Sequence, residues 1–185
     1  MRTLACIELA AIYVAWWYPF VFRAPHIQKR PSITVAGPTR IGLLFETAAI
    51  LLAFFVRVPG APRDGVPYLL GALLLGAVSV WLGWTAVTHL GRQFRIHAGL
   101  YCDHQLVRTG PYAVVRHPIY ASLLLLLLLT LLLVTPWRWA PPAIALYVLG
   151  TEIRVRCEDK LLVSRFGAEF TAYRKSVPAY IPFVR

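Results

Sequence analysis

Acidic residues and cysteines are both scarce in this chain. Of its 185 residues, 8 are Asp or Glu, 19 are Lys or Arg, and 3 are cysteine. Cys6, Cys102 and Cys157 are scattered without CxxC spacing, and this odd set is not typical of a disulfide framework. The pattern favours small buried side chains over metal ligands or nucleophiles.

The chain also lacks the short motifs of several enzyme classes. It has no HExxH motif and no His-rich cluster, so no metal site is expected. It has neither a glycine-rich phosphate loop after a strand nor the GxSxG motif of a serine hydrolase.

Charged residues of either sign make up 15% of the chain, while hydrophobic residues make up 58%. An average soluble domain is about 25% charged and about 45–50% apolar. A soluble fold of this length could not cover so much apolar surface. The composition therefore predicts an integral membrane protein.

The formal net charge of +11 has two interpretations. A basic soluble domain would suggest nucleic acid as a partner. In a membrane protein, Lys and Arg instead concentrate in cytoplasmic loops and contact anionic lipid head groups. We expect membrane lipids, and no nucleic acid, as the partners of these charges.

Five hydrophobic segments approach the length of a membrane span, which needs about 20 apolar residues with a range of about 17–25. They lie at residues 4–22, 40–56, 66–88, 119–135 and 137–153. Little more than Pro136 separates the last two, which predicts a tight helical hairpin. The predicted fold is an all-α, multi-pass membrane protein of one domain, with three spans in residues 1–88.

The distribution of basic residues predicts the orientation. Five spans put the termini on opposite sides. The side of the N-terminus carries four basic residues, Arg2, Arg57, Arg63 and Arg138. Because the other fifteen lie in loops, tail or span ends of the opposite side, the positive-inside rule places the N-terminus outside. The third loop (89–117) and the tail (154–185) are then both cytoplasmic.

The tail carries an apolar stripe with helical spacing. Leu162, Phe166, Phe170 and Tyr173 recur at intervals of four, four and three. Gly167 weakens this helix midway, and two later prolines require an extended path. The tail is either an amphipathic helix resting on the membrane or a lid over a cytoplasmic pocket, and one helix could serve both purposes.

Residues 106–120, LVRTGPYAVVRHPIY, form a polar, basic segment just before a run of seven leucines. Such a segment is costly at a membrane edge, which indicates a function there. Pro118 suits a first helical turn and predicts the start of the fourth span. That helix end favours an anionic group such as a cofactor carboxylate, although His117 and Tyr120 could be simple interface anchors.

A second charged cluster, RVRCED at residues 154–159, follows the fifth segment. Arg154 and Glu158 are four residues apart and share one helix face. They could be solvated ion pairs at a helix end. Alternatively, the Arg binds an anionic substrate group and the carboxylate binds a cofactor group, and the low dielectric at a membrane boundary strengthens both interactions. We predict that this cluster and residues 106–120 meet around a cavity open to the cytosol.

Two further carboxylates, Glu8 and Glu46, lie inside the first and second segments. Carboxylates within a membrane are functional candidates by default. Each could instead be protonated or hydrogen-bonded between helices, so their role stays open.

The motifs of the second half, from His89 to the C-terminus, resemble the isoprenylcysteine carboxyl methyltransferase family, part of a wider group with phospholipid N-methyltransferases. They run in the order HxLVxxGPYxxxRHPxY, a short hairpin, RxxxE(E/D) and FGxxFxxYxxxVPxxIP. The motifs are specific in combination, whereas HPxY alone would be weak.

The resemblance implies S-adenosyl-L-methionine as the cofactor, bound without a Rossmann domain in a cytoplasm-facing pocket, with residues 89–185 as the catalytic region. By motif position, Arg154 would bind the methyl acceptor and, with Glu158, be catalytic, while His97 would be a further cofactor contact. The cofactor site would be lined by His104, Gln105, Leu106, Val107, Tyr112, His117, Pro118, Ile119, Tyr120 and Glu158.

The implied reaction is methyl transfer to a lipophilic acceptor that enters from the bilayer. We prefer the carboxylate of an isoprenylcysteine-like substrate, because it is ionised near neutral pH and needs mainly alignment and removal of water. N-methylation of an amine lipid would need a base such as Glu158 or His117. An NADPH-dependent membrane reductase of the sterol type and a non-enzymatic scaffold are further alternatives.

The chain departs from the family pattern in two ways. Asp159 stands where many members have a second Glu, and the long insertions and extra spans of eukaryotic members are missing. The chain therefore resembles a short prokaryotic relative of the cell membrane.

Overall fold

The computed structural model describes residues 2–23, 32–34, 37–56, 62–95 and 98–182, so Arg57 and His97 lie outside the described residues. Its regular structure is helical apart from one short ladder, which confirms the predicted helical class. The helices are α1 (Arg2–Tyr18), α2 (Gly37–Phe55), α3 (Val66–Leu90), α4 (Pro118–Val134), α5 (Ala140–Phe166) and α6 (Ala168–Ser176). Short turns occupy Pro19–Arg23, Gly91–Gln93, Gly110–Ala113 and Trp137–Trp139.

Three helical stretches of the described chain are long and apolar enough to cross a membrane, which indicates an integral membrane protein. They are Thr3–Phe22, Gly37–Phe55 and Val66–Gln93, matching the first three predicted segments. α4 is equally apolar but has 17 residues. At 1.5 Å per residue it rises about 25 Å, less than the roughly 30 Å hydrocarbon core. α5 becomes charged in its second half.

α4 begins at Pro118, as predicted, because a proline in the first turn loses no helical hydrogen bond. The backbone N–H groups of Tyr120 and Ala121 donate to the His117 carbonyl at 3.1 and 3.2 Å. His117 is therefore the N-cap residue of α4.

α4 is the central helix of the bundle, with 11 of its 17 residues buried. Its leucines serve two cores. Leu126, Leu129 and Leu133 pack with α1 and α3, whereas Leu127 and Leu131 pack with α2 and α5. The connection from α4 to α5 is short, as predicted, but α5 packs most extensively along α2.

α2 and α5 approach closely because two glycines face each other at their crossing. A Cβ added to Gly150 would lie 2.5 Å from the Gly42 carbonyl oxygen and 2.9 Å from the Glu46 nitrogen. Any side chain at this position would force the helices apart. This crossing therefore sets the distance between α2 and α5 near Glu46.

The apolar stripe of the tail is divided between two helices. α5 continues to Phe166 and ends at Gly167, whose φ of +53° suits glycine. Phe170 and Tyr173 follow on α6 and are buried. Beyond α6, the carbonyls of Pro178 and Ala179 accept the backbone N–H groups of Arg116 and His117 at 2.9 and 2.8 Å. The tail thus lies across the segment before α4.

Two loops are joined by a small antiparallel ladder. β1 (Ser32–Thr34) pairs with β2 (Gly99–Tyr101) in the register Ile33 to Leu100. This ladder ties the connection before α2 to the segment that leads to residues 106–120.

The predicted burial of the cysteines is wrong for two of them. Cys6 and Cys102 are exposed, and Cys157 is half-buried. Cys6 lies on the candidate membrane span Thr3–Phe22, where an exposed side chain can face lipid hydrocarbon. A side chain of low polarity therefore need not be buried inside the protein there.

Candidate active site

A cavity of about 470 Å³ lies between the helix ends and the segment before α4. Small-molecule sites commonly have volumes of about 300–1,000 Å³. Apart from His97, which lies outside the described residues, the cavity brings together the residues that the sequence proposed for cofactor and acceptor: His104, Gln105, Leu106, Val107, Tyr112, His117, Pro118, Ile119, Tyr120, Arg154 and Glu158.

The two charged segments meet at His117, which confirms the predicted contact between them. His117 Nδ1 lies 3.2 Å from Glu158 Oε2, and Nε2 lies 3.2 Å from Asp159 Oδ1. The Tyr120 hydroxyl donates a hydrogen bond to Glu158 Oε1. One imidazole therefore bridges two neighbouring carboxylates of α5.

This arrangement favours the doubly protonated imidazolium, because each ring nitrogen faces a carboxylate acceptor. Burial opposes the charge, but the hydrogen bonds to Asp159 and Glu158 outweigh it and raise the pKa of His117. Burial likewise opposes the two carboxylates, yet their hydrogen bonds with His117 lower the pKa of Glu158 and of Asp159.

Asp159 also holds two arginines and fastens the tail to the cavity wall. Arg116 Nη2 and Arg174 Nε lie 3.2 and 3.5 Å from Asp159 Oδ2. Arg116 Nη1 donates to the carbonyls of Val177 and Arg174. The side chains of Arg116 and Asp159 are only 2% and 4% exposed, so this network is internal.

Sequence reasoning did not assign Arg116 and Asp159 to the site. Arg116 entered only as part of the segment 106–120, and Asp159 as part of the charged cluster 154–159 and as a departure from the family motif. The signal in the sequence was that Arg116 directly precedes His117. If both side chains are buried, two neighbouring cations require two anions as partners.

Arg154 is held by a carboxylate from α2. Arg154 Nη1 donates to Glu46 Oε2 at 2.6 Å, and the Thr151 hydroxyl donates to Glu46 Oε1 at 3.0 Å. The Arg154 guanidinium carbon lies 4.8 Å from the centroid of the Tyr120 ring. The alternative of a solvated pair is wrong for Arg154, which is 8% exposed. That description fits Arg156 and Glu152, an outer pair at 3.4 Å.

Some buried polar atoms on cavity-lining residues have no hydrogen-bond partner within the described ranges. They include His104 Nδ1 and Gln93 Oε1. Burial and then the positive charge of Arg95 lower the pKa of His104 to about 4, so its imidazole is neutral at pH 7. A polar ligand in the cavity would satisfy these atoms.

Many other lining residues of the cavity are apolar. They come from α1, the turn after it, α2 and α4: Trp16, Trp17, Phe20, Val21, Leu43, Ile50 and Leu123. Sequence reasoning assigned none of these residues to the site, because no motif covers them. The lining therefore combines charged groups and hydrocarbon-like side chains within one cavity.

The chain is similar to several known proteins. The model of the isoprenylcysteine carboxyl methyltransferase (ICMT) family matches residues 70–164. Protein-S-isoprenylcysteine O-methyltransferase of Saccharomyces cerevisiae is 36% identical over 44% of this chain and 34% of its own length. The Schizosaccharomyces pombe protein of that name is 33% identical over 62% of this chain and 48% of its own.

A bacterial relative aligns over more of the chain. Methanethiol S-methyltransferase of Crocosphaera subtropica is 30% identical over 93% of this chain and 67% of its own length. The family model matches half of the chain, on the residues that build the cavity wall, and this relative extends the similarity to nearly the whole chain. The protein belongs to the isoprenylcysteine carboxyl methyltransferase family.

Proposed function

We propose that this protein transfers a methyl group from S-adenosyl-L-methionine to the carboxylate of a lipophilic, isoprenylcysteine-like acceptor. The observation that carries the proposal is the single cavity that joins Arg154 and Glu158 to residues 104–107 and 117–120. Family membership and the names of the first two relatives support it.

The polar lining residues of the cavity fit this cofactor, because they offer buried polar atoms that a ligand can satisfy. Bound there, the cofactor would supply an electrophilic methyl group on a sulfonium. Glu158 provides an anion for a cationic or hydroxyl-bearing group. The residues proposed to hold the cofactor are His104, Gln105, Leu106, Val107, Tyr112, His117, Pro118, Ile119, Tyr120 and Glu158.

At the acceptor side, Arg154 binds the carboxylate and fixes its direction. The apolar lining residues contact the lipophilic part and exclude water. A carboxylate is ionised near neutral pH, so no residue has to remove a proton from it. Alignment alone can contribute about 7–11 kcal/mol to such a transfer.

We further propose one domain with five crossings, in which residues 1–88 form the first three and residues 89–185 the catalytic region. α4 and the apolar half of α5 would be the two short crossings, which their packing against α2 and α3 supports. The excess of basic residues supports a cytoplasmic C-terminus and cavity mouth, with lipid head groups as neighbours. The acceptor would then enter from the bilayer and the cofactor from the cytosol.

The test uses purified protein in detergent. Calorimetric titration with S-adenosylhomocysteine should show binding, and labelled methyl should pass to an S-farnesylated mercapto acid. Arg154→Ala should keep most of the binding and lose the transfer. Binding of NADPH without S-adenosylhomocysteine would contradict the proposal and favour a reductase. Transfer to an aminolipid alone would favour N-methylation.

A second candidate acceptor is a small thiol. The Crocosphaera subtropica relative, named methanethiol S-methyltransferase, aligns over 93% of the chain. A thiol would first have to lose its proton, since even a cysteine side chain has a pKa of about 8.5, and methanethiol would leave the apolar part of the cavity unfilled. If methanethiol gave a kcat/KM tenfold above that of the farnesylated acid, methyl transfer would stand and the carboxylate acceptor would not.

A further inference from the structure

Glu46 lines the same cavity as Arg154, although it comes from a helix without family motifs. Its side chain is 1% exposed, and both carboxylate oxygens accept hydrogen bonds from α5. Arg154 donates to one oxygen, and Thr151, on the preceding turn, donates to the other. Glu46 is therefore held in one orientation from two points on the neighbouring helix.

The backbone around this pair is close-packed, so Glu46 and Arg154 cannot move apart freely. A Cβ at Gly42 would lie 2.5 Å from Arg154 Cγ and 2.7 Å from the Gly150 carbonyl oxygen. The Arg154 stem thus passes directly over Gly42, one turn before Glu46. The Tyr120 ring contacts the guanidinium group.

The guanidinium group is consequently fixed by a carboxylate at one edge and an aromatic ring over its carbon. Any acidic ligand that reaches Arg154 inside the cavity comes close to Glu46 as well. Like charges repel strongly in a low-dielectric site, and both anions favour the same cation. Glu46 must therefore affect how strongly the cavity binds an acid.

We propose that Glu46 is a positioning residue that aims Arg154 into the cavity and competes with an acidic acceptor for its guanidinium group. The inference rests on the proposed function, because it assigns Arg154 to the acceptor. Glu46 thereby limits the affinity of the site for carboxylates, and exchange of a bound acid for its methyl ester relieves the competition. The same pair favours release of the neutral product relative to an unopposed arginine.

Glu8 offers a matched control. It is also a carboxylate inside a predicted membrane segment, but it lies on α1 and does not line the cavity. Glu8→Gln removes the same charge as Glu46→Gln from a neighbouring helix. A general effect of membrane carboxylates on folding would appear in both variants.

The experiment titrates the intact protein, saturated with S-adenosylhomocysteine, with an S-farnesylated mercapto acid and with its methyl ester. Glu46→Gln keeps an oxygen that can accept from Arg154 but removes the competing charge. We expect the affinity for the acid to rise at least threefold, and the affinities for the ester and for S-adenosylhomocysteine to stay within twofold. Glu8→Gln should change none of them.

The Arg154→Ala background tests whether Glu46 acts through Arg154. In this background only the direct repulsion between Glu46 and the acid remains, so adding Glu46→Gln to Arg154→Ala should raise the acid-to-ester affinity ratio by less than it does in the wild-type background. The double variant also removes the uncompensated carboxylate, so it should be more stable than Arg154→Ala and remain measurable. An equal or larger rise in this background would overturn the proposal.

Three other results would also overturn it: weaker or unchanged acid affinity in Glu46→Gln, equal shifts for acid and ester, or no acid binding by either protein. Loss of kcat without a change in acid affinity would likewise overturn the proposed competition between Glu46 and the acceptor. If wild type transfers no methyl, the proposed function fails, yet the titrations still decide the role of Glu46.

Discussion

Two groups of charges meet α5 beside the cavity. The first, called here the Arg154 pair, consists of Glu46 and Arg154, with the Thr151 hydroxyl bonded to Glu46, and joins α5 to α2. The second, the His117 cluster, consists of Arg116, His117, Glu158, Asp159 and Arg174, and joins α5 to the segment before α4 and to α6.

The two groups differ in the structural role of their charges. The Arg154 pair lies between close-packed helices and presents one fixed cation to the cavity. The His117 cluster fastens loop and tail segments, and it contains a histidine whose pKa is raised above its ordinary value by hydrogen bonds to two carboxylates, which outweigh its burial. We therefore expect the first group to control acceptor chemistry, and the second to control cofactor binding, closure of the cavity wall and pH dependence.

The largest effect is expected at Arg154. Arg154→Ala should lower methyl transfer at least about 100-fold, since it removes the group that we propose holds the acceptor. It should also cost about 3–5 kcal/mol of stability, because Glu46 loses its partner in a buried site. Arg154→Lys keeps the charge without the planar fork and should recover more stability than activity. Initial rates and thermal unfolding in detergent measure both; rates within tenfold of wild type would contradict the assignment.

His117→Ala should show the opposite profile for the cofactor. Without the imidazolium, Glu158 and Asp159 face each other with one fewer cation, which should cost about 3 kcal/mol of stability. S-adenosylhomocysteine affinity should fall at least about tenfold, whereas Arg154→Ala should spare it. Calorimetric titration of the two variants side by side makes the test, and equal losses in both would erase the distinction between the two groups.

The pH dependence of stability should come from the His117 cluster. Because the pKa of folded His117 is raised above its ordinary value of about 6.5, its stabilisation is complete below about pH 6.5. It is lost as the pH rises through the raised value. The lowered pKa values of Glu158 and Asp159 mean that their contribution is present above about pH 4 and is lost on acidification.

The measurement compares unfolding temperatures of wild type and His117→Gln from pH 6 to pH 10. The wild-type advantage should shrink as the pH rises. A constant difference between the two proteins across this range would show that His117 is not the group that titrates.

Tyr120→Phe should have a smaller effect, because the Tyr120 side chain contacts both groups and the substitution removes only one of these contacts. The variant loses the hydrogen bond to Glu158 but keeps the ring against Arg154. We expect a loss of about 1 kcal/mol, or roughly fivefold, in S-adenosylhomocysteine affinity. Acceptor affinity should be unchanged, and a larger change for acceptor than for cofactor would reverse the assignment of the hydroxyl.

The smallest effect is expected at Arg156. It pairs with Glu152 on α5 at the same four-residue spacing as Arg154 and Glu158, but its side chain is 68% exposed. Arg156→Ala should change stability by less than about 0.5 kcal/mol and leave transfer unchanged. A loss comparable to that of Arg154→Ala would show that spacing, and not burial, decides the role of these charges.

Much of the fold was readable in the sequence. Composition predicted membrane helices, Pro118 predicted the start of α4, and the motif order brought residues 104–120 and the end of α5 to one place. The division of the tail at Gly167 followed from the same kind of local rule. These features depend on hydrophobic transfer and on backbone preferences, which act over a few residues.

The partners of the charges were not readable in this way. Spacing put Arg154 and Glu158 on one face, but it could not show that Arg154 pairs with Glu46, which is 108 residues away. Nor could it distinguish the buried Asp159 from the exposed Arg156 on the same turns. Helical periodicity predicts which residues are neighbours within one helix, but it does not predict which other helix packs against them.

The amino-acid sequence by itself determined that the protein enters a membrane, where most of its helices begin and end, and which family it resembles, because these follow from local composition and motif order. Only the tertiary structure decided which charges are internal and what they contact. The physical reason is that the glycine contact between α2 and α5 and the position of the tail set distances between distant residues, and a buried charge is stabilised by the partner that packing brings to it.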